Sequence, residues 1–174
     1  MNEDFSTGTT EEEIKEAFVD GRGVKYSKDG RKLLKAPGEL SGVYSVKEGT
    51  RIICDCAFSF CSSLSEIVIP SSVTSIGDSA FYGCRSLSEI VIPSSVTSIG
   101  DWAFSGCDSL SEIVIPSSVT TIGHHAFYGC RSLSEIVIPS CVTCIGDSAF
   151  YNCSFPNNLS QELISRFGYK IFRL

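Results

Sequence analysis

The stretch LSEIVIPSSVTSIGDSAFYGCRS, residues 64–86, returns three times: as LSEIVIPSSVTSIGDWAFSGCDS at 87–109, LSEIVIPSSVTTIGHHAFYGCRS at 110–132 and LSEIVIPSCVTCIGDSAFYNCSF at 133–155. A fixed period in the range of 20–50 residues marks a stacked array in which each copy is one structural unit. Aligning the copies sorts the positions by role. Leu64, Ile67 and Ile69 recur in every copy, and the Ile67–Ile69 alternation predicts a short strand with those side chains inward. Pro70 and its copies Pro93, Pro116 and Pro139 end that strand, because proline has no N–H for a ladder. Val73 and Ile76 follow, and Gly77 marks a turn. Ala80 and Phe81 read as a short helical or 3₁₀ segment, and Cys84 closes the unit.

One unit buries too few apolar side chains to offset the ordering of its own backbone, so the copies must share a core. The same columns reach further back with less identity. In YSVKEGTRIICDCAFSFC (44–61), Tyr44, Val46, Ile53, Ala57, Phe58 and Cys61 stand one period before Ile67, Ile69, Ile76, Ala80, Phe81 and Cys84. That makes about five 23-residue coils, the first degenerate, as an end coil facing a cap should be. The chain accordingly divides into an N-terminal cap at 1–42, repeats at 43–153 and a C-terminal cap at 154–174. In the first cap, Thr10 and Glu13 form a capping box, with Ile14, Ala17 and Phe18 on one helical face. VKYSKDGRKLLKAP then reads as a hairpin turning at Asp29-Gly30. In the second, NNLSQELISRFG reads as a helix closed by Gly168. Leu159, Leu163, Ile164 and Phe167 would cover the last coil, and YKIF would add a strand.

With 43% hydrophobic and 20% charged residues, the 174-residue chain has the composition of a folded protein. No apolar run approaches the ~18 residues of a membrane helix, and the acidic, polar start is no secretory signal, so the sequence as given reads as cytoplasmic. The formal charge is −6. Residues 57–153 hold only Arg85 and Arg131 against eight acids, a poor match for nucleic acid, whose phosphates dominate affinity. RGVKYSKDGRKLLK, with six basic residues, reads as a solvated hairpin.

Catalytic chemistry is not written in this chain. There is no Ser-His-Asp arrangement, no phosphate-loop glycine pattern and no paired catalytic carboxylate motif, and the two histidines, His124 and His125, are adjacent. His124 stands in the column of Asp55, Asp78, Asp101 and Asp147, which read as caps of the short helical turn, and both histidines read as surface substitutions. Cys61, Cys84, Cys107, Cys130 and Cys153 lie one period apart and read as buried free thiols rather than a disulfide framework, since nine cysteines is an odd count. Cys141 and Cys144 form a lone C-x-x-C with no second pair for zinc. No cofactor or metal is expected. Arg85, Asp108 and Arg131 share a column and would form an exposed row of alternating charge.

The unit C-x-x-L-x-x-I-x-I-P-x-x-V-x-x-I-G-x-x-A-F-x-x-C resembles the BspA-like, or Treponema pallidum type, leucine-rich repeat family, over residues 43–153. The resemblance implies an α/β fold, a right-handed, horseshoe-like leucine-rich-repeat solenoid, and a Bacteroides-like bacterial source. It also implies a surface antigen or adhesin that binds host matrix or bacterial proteins, which would place the protein at the cell surface or outside it. On a strand with Ile67 and Ile69 inward, Glu66 and Val68 face outward. Repetition builds a glutamate row, Glu66, Glu89, Glu112 and Glu135, beside a valine row, Val68, Val91, Val114 and Val137. Like charges ~5 Å apart cost about 1 kcal/mol per pair in water. The glutamates either guard the sheet against aggregation, meet a cationic partner or hold metal. The expected function is non-enzymatic: a monomeric module gripping a protein partner with this face. A structural spacer or antigenic array without a ligand is the alternative. A site on the opposite face would centre on Trp102.

Overall fold

The computed structural model describes residues 6–173, so residues 1–5 of the expected N-terminal cap and Leu174 lie outside it. Each 23-residue unit forms one coil with two short strands. In chain order the strands are β1 (Phe18–Val19), β2 (Lys25–Tyr26), β3 (Lys32–Lys35), β4 (Ser41–Ser45), β5 (Ile52–Ile53), β6 (Ser63–Val68) and β7 (Ser75–Ile76). They continue as β8 (Glu89–Ile90), β9 (Ser98–Ile99), β10 (Glu112–Val114), β11 (Thr121–Ile122), β12 (Glu135–Val137) and β13 (Cys144–Ile145). The even-numbered strands from β6 onward lie on the I-x-I motif expected from the sequence, and β4 lies on its first-coil counterpart at Tyr44 and Val46. They pair in parallel as β4-β6-β8 and, separately, β10-β12. The V-x-x-I segment, which the pattern left unassigned, supplies the second set. It forms one continuous sheet, β1-β2-β3-β5-β7-β9-β11-β13, parallel along the coils.

The core is a single cluster running the length of the stack, built from the predicted columns: Leu64, Ile67, Val73, Ile76, Ala80, Phe81 and Cys84 with their copies are almost fully buried, except Cys153, which is partly buried at the end of the stack. At its centre Phe58, Phe81, Phe104, Phe127 and Phe150 stack ring on ring, with centroids 5.2–5.6 Å apart. The result is the expected solenoid of about five 23-residue coils.

The segment around Ala80 and Phe81 is not helical. It is a run of tight turns in which alternate N–H groups leave the coil: Ser79 donates to Asp101 O, Phe81 to Ala103 O and Gly83 to Ser105 O, at 2.7–2.8 Å. Such alternation needs left-handed residues, and Cys56, Ser79, Trp102, His125 and Ser148 hold φ between 55° and 58°. A helix would turn these N–H groups back into its own coil; here they join neighbouring coils instead. Gly77 and its copies answer a different demand. A Cβ on Gly123 would lie 2.6 Å from Asp101 N and Gly100 C, so the backbones approach too closely for any side chain.

At the N-terminal end, a five-residue helix α1 (Glu11–Lys15) carries the Thr10–Glu13 capping box, and Glu13 also pairs with the buried Lys32 at 3.0 Å. Ile14 and Ala17 pack on Leu34, Ile52 and Cys54. Phe18, expected on the helix, lies instead in β1, half exposed. The hairpin turns at Asp29-Gly30, and its strands extend the eight-stranded sheet. It is locked to the first coil by Tyr26 Oη and Tyr44 Oη at 2.6 Å, with Tyr44 donating to Asp20 at 2.7 Å. At the other end α2 (Asn157–Phe167) is closed by Gly168, and Leu163, Leu159 and Phe167 pack on the core, with Ile164 half-buried. YKIF forms a 3₁₀ turn rather than a strand. Ser148 and Phe150 donate to Lys170 O and Ile171 O as earlier coils donate to their successors, so this tail stands in for the turn edge of a sixth coil.

Candidate functional surfaces on the solenoid

The strand face carries the expected rows. Glu66 pairs in register with Glu89, and Glu112 with Glu135; Val114 faces Val137. Val68, Val91, Val114 and Val137 are 48–71% exposed. Glu66 is half-buried and the other three glutamates are exposed. Among the described residues none of the four forms an ion pair. The rows begin inside the first coil, where Val43 precedes Glu66 and Ser45 precedes Val68. The ends of this face are closed by arginines. Arg22 donates to Ser41 O and Val43 O, and Arg166 to Ile138 O and Pro139 O, covering carbonyls that an open edge would offer to another strand.

The turn edge is bound together by side chains the sequence pattern did not place. Asp55 accepts from Asp78 N–H, Asp78 from Asp101 N–H and Asp101 from His124 N–H, at 2.7–2.9 Å. These aspartates therefore cap the next coil rather than a helical turn of their own. His124 continues the chain of bonds, its Nδ1 accepting from Asp147 N–H at 3.0 Å. It is a working member of the column, and a ring nitrogen with a free lone pair is what the position demands. Trp102, offered by the sequence as an alternative anchor, is half-buried with its ring flat on His125, 3.9 Å between centroids at 1°. The pair belongs to a band of rings the sequence reading missed, running through Phe60, Tyr82, Trp102, His125, Tyr128 and Tyr151. The signal was available in the repeat columns, where rings recur at Tyr82, Tyr128 and Tyr151 and, three positions earlier in the repeat, at Trp102 and His125.

The cysteine column is a spine of free thiols, each donating to a carbonyl of the preceding coil: Cys84 to Phe58 O, Cys107 to Phe81 O, Cys130 to Phe104 O and Cys153 to Phe127 O, at 3.0–3.3 Å. Burial pushes these thiols up: Cys61 to about 11, Cys130 to about 12, and Cys84, Cys107 and Cys153 well above their ordinary value. Thiols held protonated are poor nucleophiles and poor metal ligands. Cys141 takes the place of a serine column. Its thiol donates to Ser117 O at 2.9 Å and, more weakly, to Val119 O at 3.5 Å, the counterpart of the bond from Ser118 to Val96 O at 2.6 Å. Cys144 is exposed and free. Among the described residues no group of three His, Cys, Asp or Glu is placed to hold a metal, and no helix is long and apolar enough to cross a membrane. Arg85, Asp108 and Arg131 form no ion pair with one another among the described residues, so the expected charged row is only a row of solvated groups.

A family model described as the BspA type leucine rich repeat region matches residues 44–173 in six copies. The chain belongs to this family. The matched range runs through α2 and the 3₁₀ turn, consistent with the tail's part in the last rung of hydrogen bonds. No curated protein matches significantly. Among solved structures, the chain is similar to a leucine rich cell surface protein from Faecalibacterium prausnitzii, at 32% identity and TM-score 0.75, over 84% of this chain and 42% of that one. It shares its fold with the pneumococcal vaccine antigen PcpA, at 22% identity and TM-score 0.72, over 90% of this chain and 47% of that one. It also shares it with the Treponema pallidum leucine rich repeat protein, at 24% identity and TM-score 0.63, over 96% of this chain and all of that one. The chain thus spans less than half the length of the first two. The family is a repeat family, and the chain shares the repeat fold of these neighbours.

Proposed function

We propose that the protein is a non-enzymatic, monomeric protein-interaction module of the adhesin type. In this reading residues 43–153 form the binding array between caps at 1–42 and 154–174. The carrying observation is the strand face: unpaired carboxylates on Glu66, Glu89, Glu112 and Glu135 beside the exposed Val68, Val91, Val114 and Val137. A folded protein gains nothing internally from this arrangement. Neighbouring like charges cost about 1 kcal/mol per pair in water, and the valines remain wet. A protein surface of basic and apolar side chains would relieve both. Trp102, held by His125, contributes on the opposite edge rather than as a free anchor.

A spacer or antigenic array without a ligand is the second reading, favoured by the sameness of the strand faces from coil to coil. The test uses two baits, the wild type and the Glu66/Glu89/Glu112/Glu135→Gln quadruple variant, against host extracellular matrix and bacterial lysate in parallel. Retention of one protein by the wild type and its loss by the quadruple variant is the expected result. Equal retention by both baits overturns the strand-face assignment and moves binding to another surface, and no retention by either favours the spacer.

A further inference from the structure

The junction between coils 87–109 and 110–132 differs from the others. On its strand face the ladder is missing. The three-stranded sheet stops at β8 and the two-stranded sheet starts at β10. Ser88 donates to Ser65 O at the preceding junction and Ser134 to Ser111 O at the following one, but among the described residues no such bond joins Ser111 to Ser88. Val91, beside the gap, is the most exposed valine of its row at 71%.

The other sides of the same junction are closed. The continuous sheet crosses it in full register, Ser98 to Thr121 and Ile99 to Ile122. At the turn edge Trp102 N–H donates to His124 O and Phe104 N–H to Ala126 O, at 2.8 and 2.7 Å. The flat Trp102–His125 stack lies here, with rings 3.9 Å apart where the phenylalanine rings of the core are 5.2 Å or more apart. In that column the other coils carry Cys56, Ser79 and Ser148. The coil pair that lacks its strand ladder is therefore the one with the closest ring contact, 3.9 Å against 5.2 Å for Tyr128 on Tyr151 at the next junction.

We infer that this junction is a hinge. The strand face opens and closes between Glu89 and Glu112, and the Trp102–His125 stack with the β9–β11 ladder is the pivot. In a stack where each coil touches only its neighbours, bending concentrates at the interface with the fewest bonds on one side. Backbone groups that find no partner across the gap are left to water, so opening breaks no ladder bond there. The like charges of Glu89 and Glu112 oppose closure. The hinge divides the strand face into a plate of three strands and a plate of two, whose mutual angle it sets. The inference stands on this geometry and not on the binding role proposed for the face.

Amide hydrogen exchange on the full chain tests it. Segments 88–91 and 111–114 should exchange about tenfold or more faster than segment 65–68, which is paired on both sides, while the back strands around Ile99 and Ile122 stay protected. Protection of all three segments within about twofold overturns the hinge. Trp102→Ser, which copies Ser79 and Ser148, tests the pivot, with Trp102→Phe as a ring-keeping control. Faster exchange confined to segments 98–99 and 121–122 in the serine variant, and reversed in the phenylalanine variant, is the expected outcome. A uniform rise across all coils, or no change at those segments, overturns the pivot.

Discussion

The strand face and the turn edge are built from the same repeat, yet they differ in what holds them. The strand face repeats its side chains almost without change and leaves them unpaired: four glutamates without ion pairs, four valines in water, and a ladder interrupted between Glu89 and Glu112. The turn edge varies its side chains and pairs nearly all of them. Asp and His124 accept N–H groups from the next coil, thiols donate to carbonyls of the previous one, and rings touch from Phe60 to Tyr151. The solenoid is thus fastened along one edge and left uncommitted on a face, a division suited to a scaffold whose exposed side does other work.

The largest test of that division is a pair of substitutions in one coil. Gly123→Ala places a methyl 2.6 Å from two backbone atoms of the preceding coil, neither of which can swing aside. It should cost about 3 kcal/mol or more, the upper range for overpacking. Glu112→Gln, on the strand face of the same coil, should stay within about 0.5 kcal/mol of the wild type. Urea denaturation of the two variants measures both, and comparable losses would erase the distinction between edge and face.

Much of this was legible in the sequence. The period, the coil number, the inward columns and the Glu and Val rows all follow from aligned copies, because repetition turns one chain into its own alignment. What was not legible depends on where hydrogen bonds go between coils. Ala80 and Phe81 have helix-like neighbours, so a helical segment was expected, yet their turn is stabilised by carbonyls 22 residues on, which no local pattern records. His124 looked like a random change in an aspartate column until its Nδ1 was seen accepting the same N–H. The tail YKIF has strand composition but meets Ser148 and Phe150 as turn backbone. The break between β8 and β10 has no sequence signature, since LSEIVIP is identical in both coils.

The thiol spine gives the second test, through pH. Folding raises these thiols above their ordinary value of 9.0, to about 11 at Cys61 and about 12 at Cys130. The unfolded chain therefore releases these protons first as pH rises. The stabilisation is fully present below pH 9 and is lost as pH climbs from about 9 towards 11–12. Buried Tyr26 and Tyr44, also shifted upward, add to the loss. Thermal melts should show a plateau up to pH 9 and a falling midpoint above it. Replacing Cys107 and Cys130 with alanine should flatten the fall even while lowering the plateau. At neutral pH a thiol reagent should label the exposed Cys56 and Cys144 first and the spine only on unfolding. A midpoint that holds beyond pH 10, or rapid labelling of the spine, would contradict the closed edge.

The smallest effect sharpens the rule by its exception. Among the described residues, two buried side-chain atoms lack a hydrogen-bond partner, Thr50 Oγ1 and His125 Nδ1. The His125 nitrogen lies within the ring stack against Trp102. Thr50 lies in the core of the first coil, fully buried, in the column that Val73, Val96, Val119 and Val142 fill in the others. Threonine and valine have nearly the same shape, so the hydroxyl there loses its water and gains nothing in return. Its backbone carbonyl already serves the ladder, accepting from Ser72 Oγ at 2.8 Å, and that bond does not involve the side chain. Thr50→Val should therefore stabilise the protein by about 1 kcal/mol, where most core substitutions destabilise. Denaturant titration should show the midpoint rising at constant slope. A loss of stability would mean that the hydroxyl has a partner in solution, and that the first coil is pinned to its cap by more than the tyrosine pair.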